Sequence, residues 1–185
     1  MRIIAGEFRG RKLLPPAGDV TRPVTDRVKQ SLFDILAPLI AGARVYDCFA
    51  GTGSMGLECL SRGAAHVTFF EADRSALESL KGNVTALGVA ARSTRVAGDL
   101  FHWFDAGATP AAKADLVFLD PPYRFLRERA DDVRRLAAAI ADQHLAPQGT
   151  VVFRHDVSDS LDLPPLVTGD RREYGGMVLE FLRRA

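Results

Sequence analysis

The chain has 185 residues, a length that predicts one domain with enough interior for a proper hydrophobic core. Apolar residues make up 47% of it and charged residues 25%, as in soluble globular proteins, and the formal net charge of +1 excludes a strongly basic or acidic protein. No apolar run approaches the ~20 residues that cross a bilayer, and the N-terminus lacks the apolar stretch of a signal peptide, so we expect a cytoplasmic protein without a membrane partner. The 2 cysteines and 4 scattered histidines lack the spacing of a disulfide framework or a metal site.

Positive charge is concentrated at the N-terminus. The first 30 residues hold seven basic residues against three acidic ones, a local net charge of +4. Charge of this kind attracts a phosphate backbone. A solvated surface hairpin would carry the same charge, so charge alone does not separate these two interpretations.

The predicted elements begin with a small hairpin over residues 1–14, in which two short arms flank a glycine-containing turn. A helix then begins after Thr25, a good N-cap residue, with apolar residues at helical spacing. Pro38 predicts the end of this helix or a kink in it. Residues 1–40 are therefore interpreted as an extension that precedes the main domain, which we place at 41–185.

From residue 44 onward, apolar strands alternate with helical stretches. Strands are predicted near 44–49, 66–71, 93–97, 115–119 and 149–154. Helices are predicted near 54–62, 73–87 and 125–142, with a short helix over 100–106. This alternation predicts an α/β fold with a doubly wound, mostly parallel sheet. The tail differs, because strands near 167–174 and 177–182 have no helix between them and predict an antiparallel hairpin at the sheet edge.

A glycine-rich loop follows the first strand of this sheet. The strand ends in Asp47, glycines follow at Gly51, Gly53 and Gly56, and the next strand ends in Glu71. Glycines let the backbone turn sharply and approach a ligand closely, and an acid after the second strand can accept hydrogen bonds from a ribose diol. The segment therefore predicts a nucleoside-cofactor pocket. The spacing also suits a nicotinamide dehydrogenase, but a carboxylate at Asp47 would repel a pyrophosphate and favours a cationic ligand.

The most specific motif is Asp120-Pro121-Pro122-Tyr123, which directly follows the apolar strand near 115–119. The two prolines stiffen the backbone and remove two N–H donors, so that the Asp120 carboxylate and exposed carbonyls remain as acceptors. Such acceptors suit an amino group, and Tyr123 offers a flat face on which a base can stack. Together with the glycine loop, the tetrapeptide favours a site for an aromatic amine over a simple proline-containing loop.

Asp-Pro-Pro-Tyr is the signature of S-adenosylmethionine-dependent methyltransferases that act on exocyclic amino groups of nucleobases, and the glycine loop resembles their cofactor loop. The whole chain resembles the bacterial 16S ribosomal RNA guanine-N2 methyltransferases of the RsmD type. Besides the two motifs, the resemblance is carried by residues 1–6, 9–13, 22–29 and 32–33. It implies a Rossmann-like class I methyltransferase and, as the family's target, guanine-966 of 16S ribosomal RNA.

The resemblance implies S-adenosyl-L-methionine as the cofactor. The residues that would surround it are Asp47, Gly51, Gly53, Glu71, Asp99, Leu100, Thr25 and Asp26. The glycines would pack against the methionine and ribose portion, and Asp47 would lie near the amino group. Glu71 would hold the ribose hydroxyls, while Asp99 with Leu100 would meet the adenine edge. The two residues at the start of the first helix would reach the methionine end. No metal is implied.

The resemblance also implies how the target is held. Asp120 and the carbonyl of Pro121 would hold the target amino group, Pro122 would brace the loop, and Tyr123 would stack on the base. The substrate would be 16S ribosomal RNA or the assembling small subunit, bound by a monomer. Phosphates around the target would be contacted by basic residues of the N-terminal extension, namely Arg9, Arg11, Lys12 and Arg22.

Three alternatives stay open at this point. The same tetrapeptide serves DNA or RNA adenine-N6 and cytosine-N4 amino methyltransferases. The glycine spacing is also compatible with a nicotinamide-dependent oxidoreductase. The basic extension is also compatible with a catalytically silent RNA-binding module, although the presence of all the motif residues argues against it.

Overall fold

The computed structural model describes residues 1–15, 25–107 and 112–185. Its centre is one seven-stranded sheet with the order β3-β2-β1-β4-β5-β7-β6. The strands are β1 Arg44–Cys48, β2 His66–Glu71, β3 Ser93–Ala97, β4 Ala114–Leu119, β5 Leu145–Asp156, β6 Leu166–Tyr174 and β7 Met177–Arg184. Strands β1 to β5 pair in parallel, whereas β7 is antiparallel to both β5 and β6. The predicted parallel sheet with an antiparallel C-terminal hairpin is confirmed.

Helices cover both faces of the sheet. They are α1 Asp26–Ile40, α2 Ser54–Ser61, α3 Arg74–Leu87, α4 Leu100–Asp105, α5 Phe125–Glu128 and α6 Ala130–Ala139, with a 3-10 turn at Ala90–Arg92 and a π turn at Ile140–His144. One hydrophobic cluster unites α1, α2 and α3 with one face of the sheet, and a second cluster unites α4, α5 and α6 with the other face. The apolar strands are therefore buried on both sides, as a doubly wound fold requires.

The single helix predicted near 125–142 is wrong. The helix breaks at Arg129, whose φ of −134° and ψ of 34° lie outside the helical region. The Arg129 guanidinium instead lies 4.1 Å from the centre of the Phe101 ring and binds Asp132 at 2.6 Å. These contacts are made by tertiary structure, which overrides the helical propensity of the local sequence.

Two other boundaries differ from the prediction. Helix α1 continues through Pro38 to Ile40, because a proline in the last turn removes few hydrogen bonds from the helix. Strand β5 begins at Leu145 and not near 149, and its pairing with β4 shifts register between Ala114 and Leu116. Among the described residues, no helix is long and apolar enough to span a bilayer.

The predicted N-terminal hairpin is a tight antiparallel turn with one isolated bridge, between Arg2 and Lys12. Its backbone is closed by hydrogen bonds from the Ile3 N–H to the Arg11 carbonyl, at 3.0 Å, and from the Gly10 N–H to the Ile3 carbonyl, at 2.9 Å. Ile3 and Leu13 are buried in the same cluster as α1, α2 and α3. The turn is therefore packed onto the body of the protein.

Candidate active site at the carboxyl edge of the sheet

Four acids lie where the first four strands end. Asp47 is in β1, Glu71 ends β2, Asp99 follows β3 and Asp120 follows β4. Because these strands are parallel, their carboxyl ends meet at one edge of the sheet, where ligands of open α/β folds bind. Asp120 and Glu71 lie close enough to Asp47 to raise its pKa. The structure therefore brings these sequence-predicted acids to one edge.

Asp47 is the most buried of the four acids, with 2% of its surface exposed. Its Oδ2 accepts a hydrogen bond from the Gly56 N–H at 2.8 Å. Burial raises the pKa of Asp47 to about 8, and the carboxylates of Asp120 and Glu71 add to this rise, which the Gly56 amide and Lys29 oppose. A buried carboxylate that is costly to ionise favours a ligand that brings positive charge.

The predicted glycines have separate roles. Gly51 has a φ of +56°, and a Cβ built on it would meet no described atom within 4 Å, so its surface is an open cradle for a ligand. Gly53 has a φ of +83°, and its Cβ would lie 2.4 Å from Cδ1 of Leu80. Between them, the buried Thr52 Oγ1 has no hydrogen-bond partner among the described residues. The loop thus combines a tightly packed turn with an unsatisfied polar atom and an open face.

Glu71 is held by the backbone of two loops. Its Oε2 accepts from the Gly51 N–H at 2.6 Å, and its Oε1 accepts from the N–H groups of Ala72 and Asp73 at 2.9 and 2.8 Å. An ionised carboxylate has about four acceptor positions, so these three bonds leave capacity for a ribose hydroxyl.

Asp99 is the N-cap of α4. Its Oδ1 accepts from the Phe101 N–H at 2.9 Å, and its Oδ2 lies 3.9 Å from Nη2 of Arg129. Leu100 is buried beside it. Capping fixes the orientation of the Asp99 carboxylate, whose side chain remains half exposed.

The tetrapeptide directly follows β4 and leads into a turn that begins at Tyr123. The Asp120 Oδ1 accepts from the Nε of Arg154 at 2.6 Å. Pro121 is buried and Pro122 is exposed, and the Pro122 carbonyl accepts from the N–H of Phe125 at 2.8 Å. Tyr123 is half-buried, and burial raises the pKa of its hydroxyl. The Asp120 carboxylate and the Tyr123 ring therefore both lie beside Arg154, and their role in binding a base stays a prediction.

Sequence reasoning missed Arg154 and an aromatic wall. Burial opposes the charge on Arg154, but Asp120 outweighs it and holds the pKa of the guanidinium above its usual value. The wall consists of Phe49, Phe101 and Phe125, whose ring centres lie 5.8 to 6.1 Å apart. The available signal for Arg154 was that an arginine interrupts the apolar run of β5. The signal for the three phenylalanines was that aromatic residues follow the predicted acids in the chain.

Within the part of the chain that the structure describes, neither Thr25 nor Asp26 hydrogen-bonds to the glycine loop. The Thr25 Oγ1 caps the helix through the Val28 N–H at 3.4 Å, and the Asp26 Oδ2 accepts from the Nε of Arg2 at 2.7 Å. One turn later, the Nζ of Lys29 donates to the Ser54 Oγ at 3.1 Å. The contact between α1 and the start of α2 is thus made by Lys29, which sequence reasoning did not select.

The predicted RNA-contacting residues lie partly within the described structure. Arg9, Arg11 and Lys12 are exposed on the N-terminal turn. The Nη2 of Arg11 donates to the Ala86 carbonyl at 2.9 Å, at the end of α3. Arg22 lies outside the described residues.

The residues present fit S-adenosylmethionine. Asp47 provides a buried carboxylate for a positive charge, Gly51 an open cradle, and Glu71 acceptors for a diol. No group of three or more His, Cys, Asp or Glu that could hold a metal ion occurs within 1–15, 25–107 and 112–185.

This sheet order and edge define a Rossmann-like class I methyltransferase fold. The structure of this chain is similar to a solved structure titled "Putative methyltransferase yhhF from Escherichia coli". The TM-score is 0.81 and the sequence identity 33%, and the match covers 100% of this chain and 97% of that one. Residues 1–183 match the family described as "Conserved hypothetical protein 95".

Two curated relatives place the chain more narrowly. It is 36% identical to the Bacillus subtilis "Putative rRNA methyltransferase YlbH" over 182 residues, 96% of this chain and 95% of that protein. It is 44% identical to the Escherichia coli "Ribosomal RNA small subunit methyltransferase D" over 124 residues, 67% of this chain and 61% of that protein. The chain belongs to the RsmD-type methyltransferase family.

Proposed function

We propose that the protein is an S-adenosylmethionine-dependent ribosomal RNA methyltransferase that modifies the exocyclic N2 amino group of a guanine in 16S ribosomal RNA. The observation that carries the proposal is the Asp120–Tyr123 turn at the carboxyl end of β4, beside the cofactor-type glycine loop of β1. The names of the curated relatives support ribosomal RNA as the substrate. The proposed nucleotide is the family's target, guanine-966.

The chemistry required is the activation of a poor nucleophile. The lone pair of guanine N2 is delocalised into the ring, so it must be freed before it can attack. The cofactor, when bound, supplies an electrophilic methyl group on a positively charged sulfur. Asp120 and the Pro121 carbonyl accept the hydrogens of the amino group and draw it toward tetrahedral geometry, while Tyr123 stacks on the base. Positioning and electrostatics supply the catalysis, and the proton leaves after attack, so no histidine base is needed.

The rest of the edge prepares the site. Asp47 receives the positive charge of the ligand, and Glu71 and Asp99 hold its ribose and adenine. The target guanine must be turned out of its stack to reach Asp120, which costs a few kcal/mol. The basic N-terminal turn contacts phosphates around the target through Arg9, Arg11, Lys12 and Arg22. The enzyme acts as a cytoplasmic monomer on 16S ribosomal RNA or on the assembling small subunit.

A methyl-transfer assay tests the proposal. The protein is expected to transfer label from S-adenosylmethionine to unmodified small-subunit RNA or particles, and Asp120→Ala should lower kcat by about 100-fold or more because the amino group loses its charged acceptor. The matched control is Asp115→Ala, at the opposite end of β4, where the carboxylate accepts from the Arg44 N–H and from no other group of the described residues. A kcat of Asp120→Ala close to that of the wild type would contradict the assignment of the site.

A thermal-shift measurement separates the methyltransferase from an oxidoreductase. S-adenosylhomocysteine should raise the melting temperature of both the wild type and Asp120→Ala, because binding to the folded state alone stabilises it. NAD should not. Stabilisation by NAD without stabilisation by S-adenosylhomocysteine would overturn the cofactor assignment.

A further inference from the structure

Arg154 stands beside the tetrapeptide because of the sheet register. Phe153 in β5 pairs with Leu119, the last residue of β4, so that Arg154 and Asp120 follow side by side on neighbouring parallel strands. The Nε of Arg154 donates to the Asp120 Oδ1 at 2.6 Å. Both side chains are largely buried, with exposed fractions of 17% for Arg154 and 19% for Asp120.

Asp120 needs such a partner. It lies close to one other acid, since it raises the pKa of the buried Asp47. A carboxylate that is largely removed from water needs a paired positive charge to offset its lost hydration. A guanidinium offers donors in a fixed planar arrangement, and charge-assisted hydrogen bonds of this length are among the strongest in proteins.

Arg154 also contacts the rest of the loop and the last strand. Its guanidinium carbon lies 5.9 Å from the centre of the Tyr123 ring. Its Nη1 lies 3.7 Å from the sulfur of Met177, in β7. The arginine therefore joins the acceptor and the stacking residue of the tetrapeptide to the rigid pairing of β5 with β7.

We propose that Arg154 is a positioning residue for methyl transfer, which fixes the Asp120 carboxylate through Oδ1 so that Oδ2 faces the substrate amino group. The inference rests on the proposed function. An ionised carboxylate accepts hydrogen bonds only, so a fixed Asp120 can hold an amino group and cannot compete with it as a donor. Arg154 acts through Asp120 and does not itself touch the reacting atoms.

Two substitutions test this role. Arg154→Gln should lower kcat by about 10- to 100-fold, the loss expected when a reacting group is misplaced by about 1 Å, while affinity for S-adenosylhomocysteine changes by less than about threefold. Arg154→Lys keeps the charge without the planar arrangement and should restore part of the rate. The matched control is Arg135→Gln on α6, which breaks an exposed pair with Asp132 and should leave kcat unchanged.

A double-mutant cycle tests whether Arg154 acts on kcat through Asp120. In the Asp120→Asn background, Arg154→Gln should cost less than about threefold, because the charge that Arg154 holds is already gone. Full additivity of the two losses in kcat would overturn the proposal. So would a wild-type kcat in Arg154→Gln. If Arg154→Gln does not fold, a wild-type kcat in Arg154→Lys would overturn it.

A crystal structure of Arg154→Gln separates this inference from the proposed function. The Asp120 side chain should leave the position it has in the wild type. If the wild type transfers no methyl group to RNA, the proposed function fails, and the position of Asp120 in the variant still decides whether Arg154 fixes it. An unmoved Asp120 side chain would overturn the inference.

Discussion

At the scale of residues, the buried carboxyl group of Asp47 lowers the stability of the folded protein wherever the unfolded chain can ionise it. Its carboxylate is buried, and its pKa of about 8 shows that the free protein ionises it reluctantly. In the unfolded chain the same group ionises near its ordinary value of 3.8. A cationic ligand would supply the missing counter-charge. The complex would then be free of the unfavourable free energy that burial of Asp47 imposes on the protein alone, and this difference would favour binding.

Asp47→Asn should therefore stabilise the free protein as pH rises. Between about pH 4 and 8 the folded wild type keeps a proton that the unfolded chain has released, so its free energy of unfolding falls with rising pH. The variant has no ionisable group at this position, so its free energy of unfolding does not fall for this reason. The difference in melting temperature should grow up to about pH 8 and then level off. Affinity for S-adenosylhomocysteine should fall by about 10- to 100-fold, the loss of a charged hydrogen bond. Parallel melting curves across this range would contradict the explanation.

At the scale of residues, the sequence predicted the acids at the strand ends and the tetrapeptide, because a strand ending in an acid is a local pattern. Arg154 could not be assigned in the same way. Its partner depends on the register between β4 and β5, which lie 25 residues apart in the chain and pair with a shift between Ala114 and Leu116. Nor could local pattern show that Asp26 is paired with Arg2 and that Lys29 contacts Ser54.

At the scale of elements, Glu58 of α2 attaches the N-terminal turn to the methyltransferase core. The Glu58 side chain is fully buried and accepts from the N–H groups of Ile4 and Ala5 at 2.8 and 3.0 Å, and from Lys29 and Arg62 at 3.0 and 2.9 Å. Burial opposes its charge, but these partners outweigh it and hold the pKa of Glu58 below its usual value. The turn and the first helix are therefore joined at the helix that follows the glycine loop.

Glu58→Ala should lower the free energy of unfolding by about 3–5 kcal/mol, because it leaves the buried Lys29 ammonium without its partner. The control Glu7→Ala, which removes an exposed pair with Arg92, should cost about 1 kcal/mol or less. The double variant Lys29→Met with Glu58→Gln should be more stable than Glu58→Ala. Denaturant unfolding measures all three, and equal losses in Glu58→Ala and Glu7→Ala would contradict this account of the attachment.

Element boundaries were predictable only where local signals set them. Thr25 and Asp73 cap α1 and α3 through their own side chains, and both helices begin within a residue of the prediction. The break at Arg129 and the early start of β5 depend on contacts between elements. The N-terminal hairpin was predicted as two strands, but a single bridge and the burial of Ile3 and Leu13 hold it together.

At the scale of the whole molecule, the net charge is nearly balanced, so any attraction to RNA must be local. The N-terminal turn exposes Arg9, Arg11 and Lys12 close together in the chain. Phosphate contacts raise the affinity for RNA and make it depend on salt, whereas contacts to the base determine which base reacts. The turn is therefore expected to govern RNA binding and the carboxyl edge to govern catalysis.

Replacing Arg9, Arg11 and Lys12 together with glutamine should raise KM for RNA and lower the slope of log affinity against log salt by about 2–3, with kcat at saturating RNA unchanged. The matched control removes the same charge elsewhere, by glutamine at Arg134, Arg135 and Arg172, each of which pairs with an acid of its own segment. If the control weakens RNA binding as much as the triple variant, the N-terminal turn is not the RNA contact.

The identity of the methylated nucleoside tests most directly whether the Asp120–Tyr123 segment presents guanine N2 to the methyl donor. Unmodified 16S ribosomal RNA, free and in small-subunit particles, is incubated with the protein and S-adenosylmethionine, digested to nucleosides and measured by mass spectrometry. N2-methylguanosine is the expected product, and Asp120→Ala should lower the rate of its formation by about 100-fold or more. The appearance of N6-methyladenosine or N4-methylcytidine instead, or of no methylated nucleoside with either substrate, would contradict this expectation.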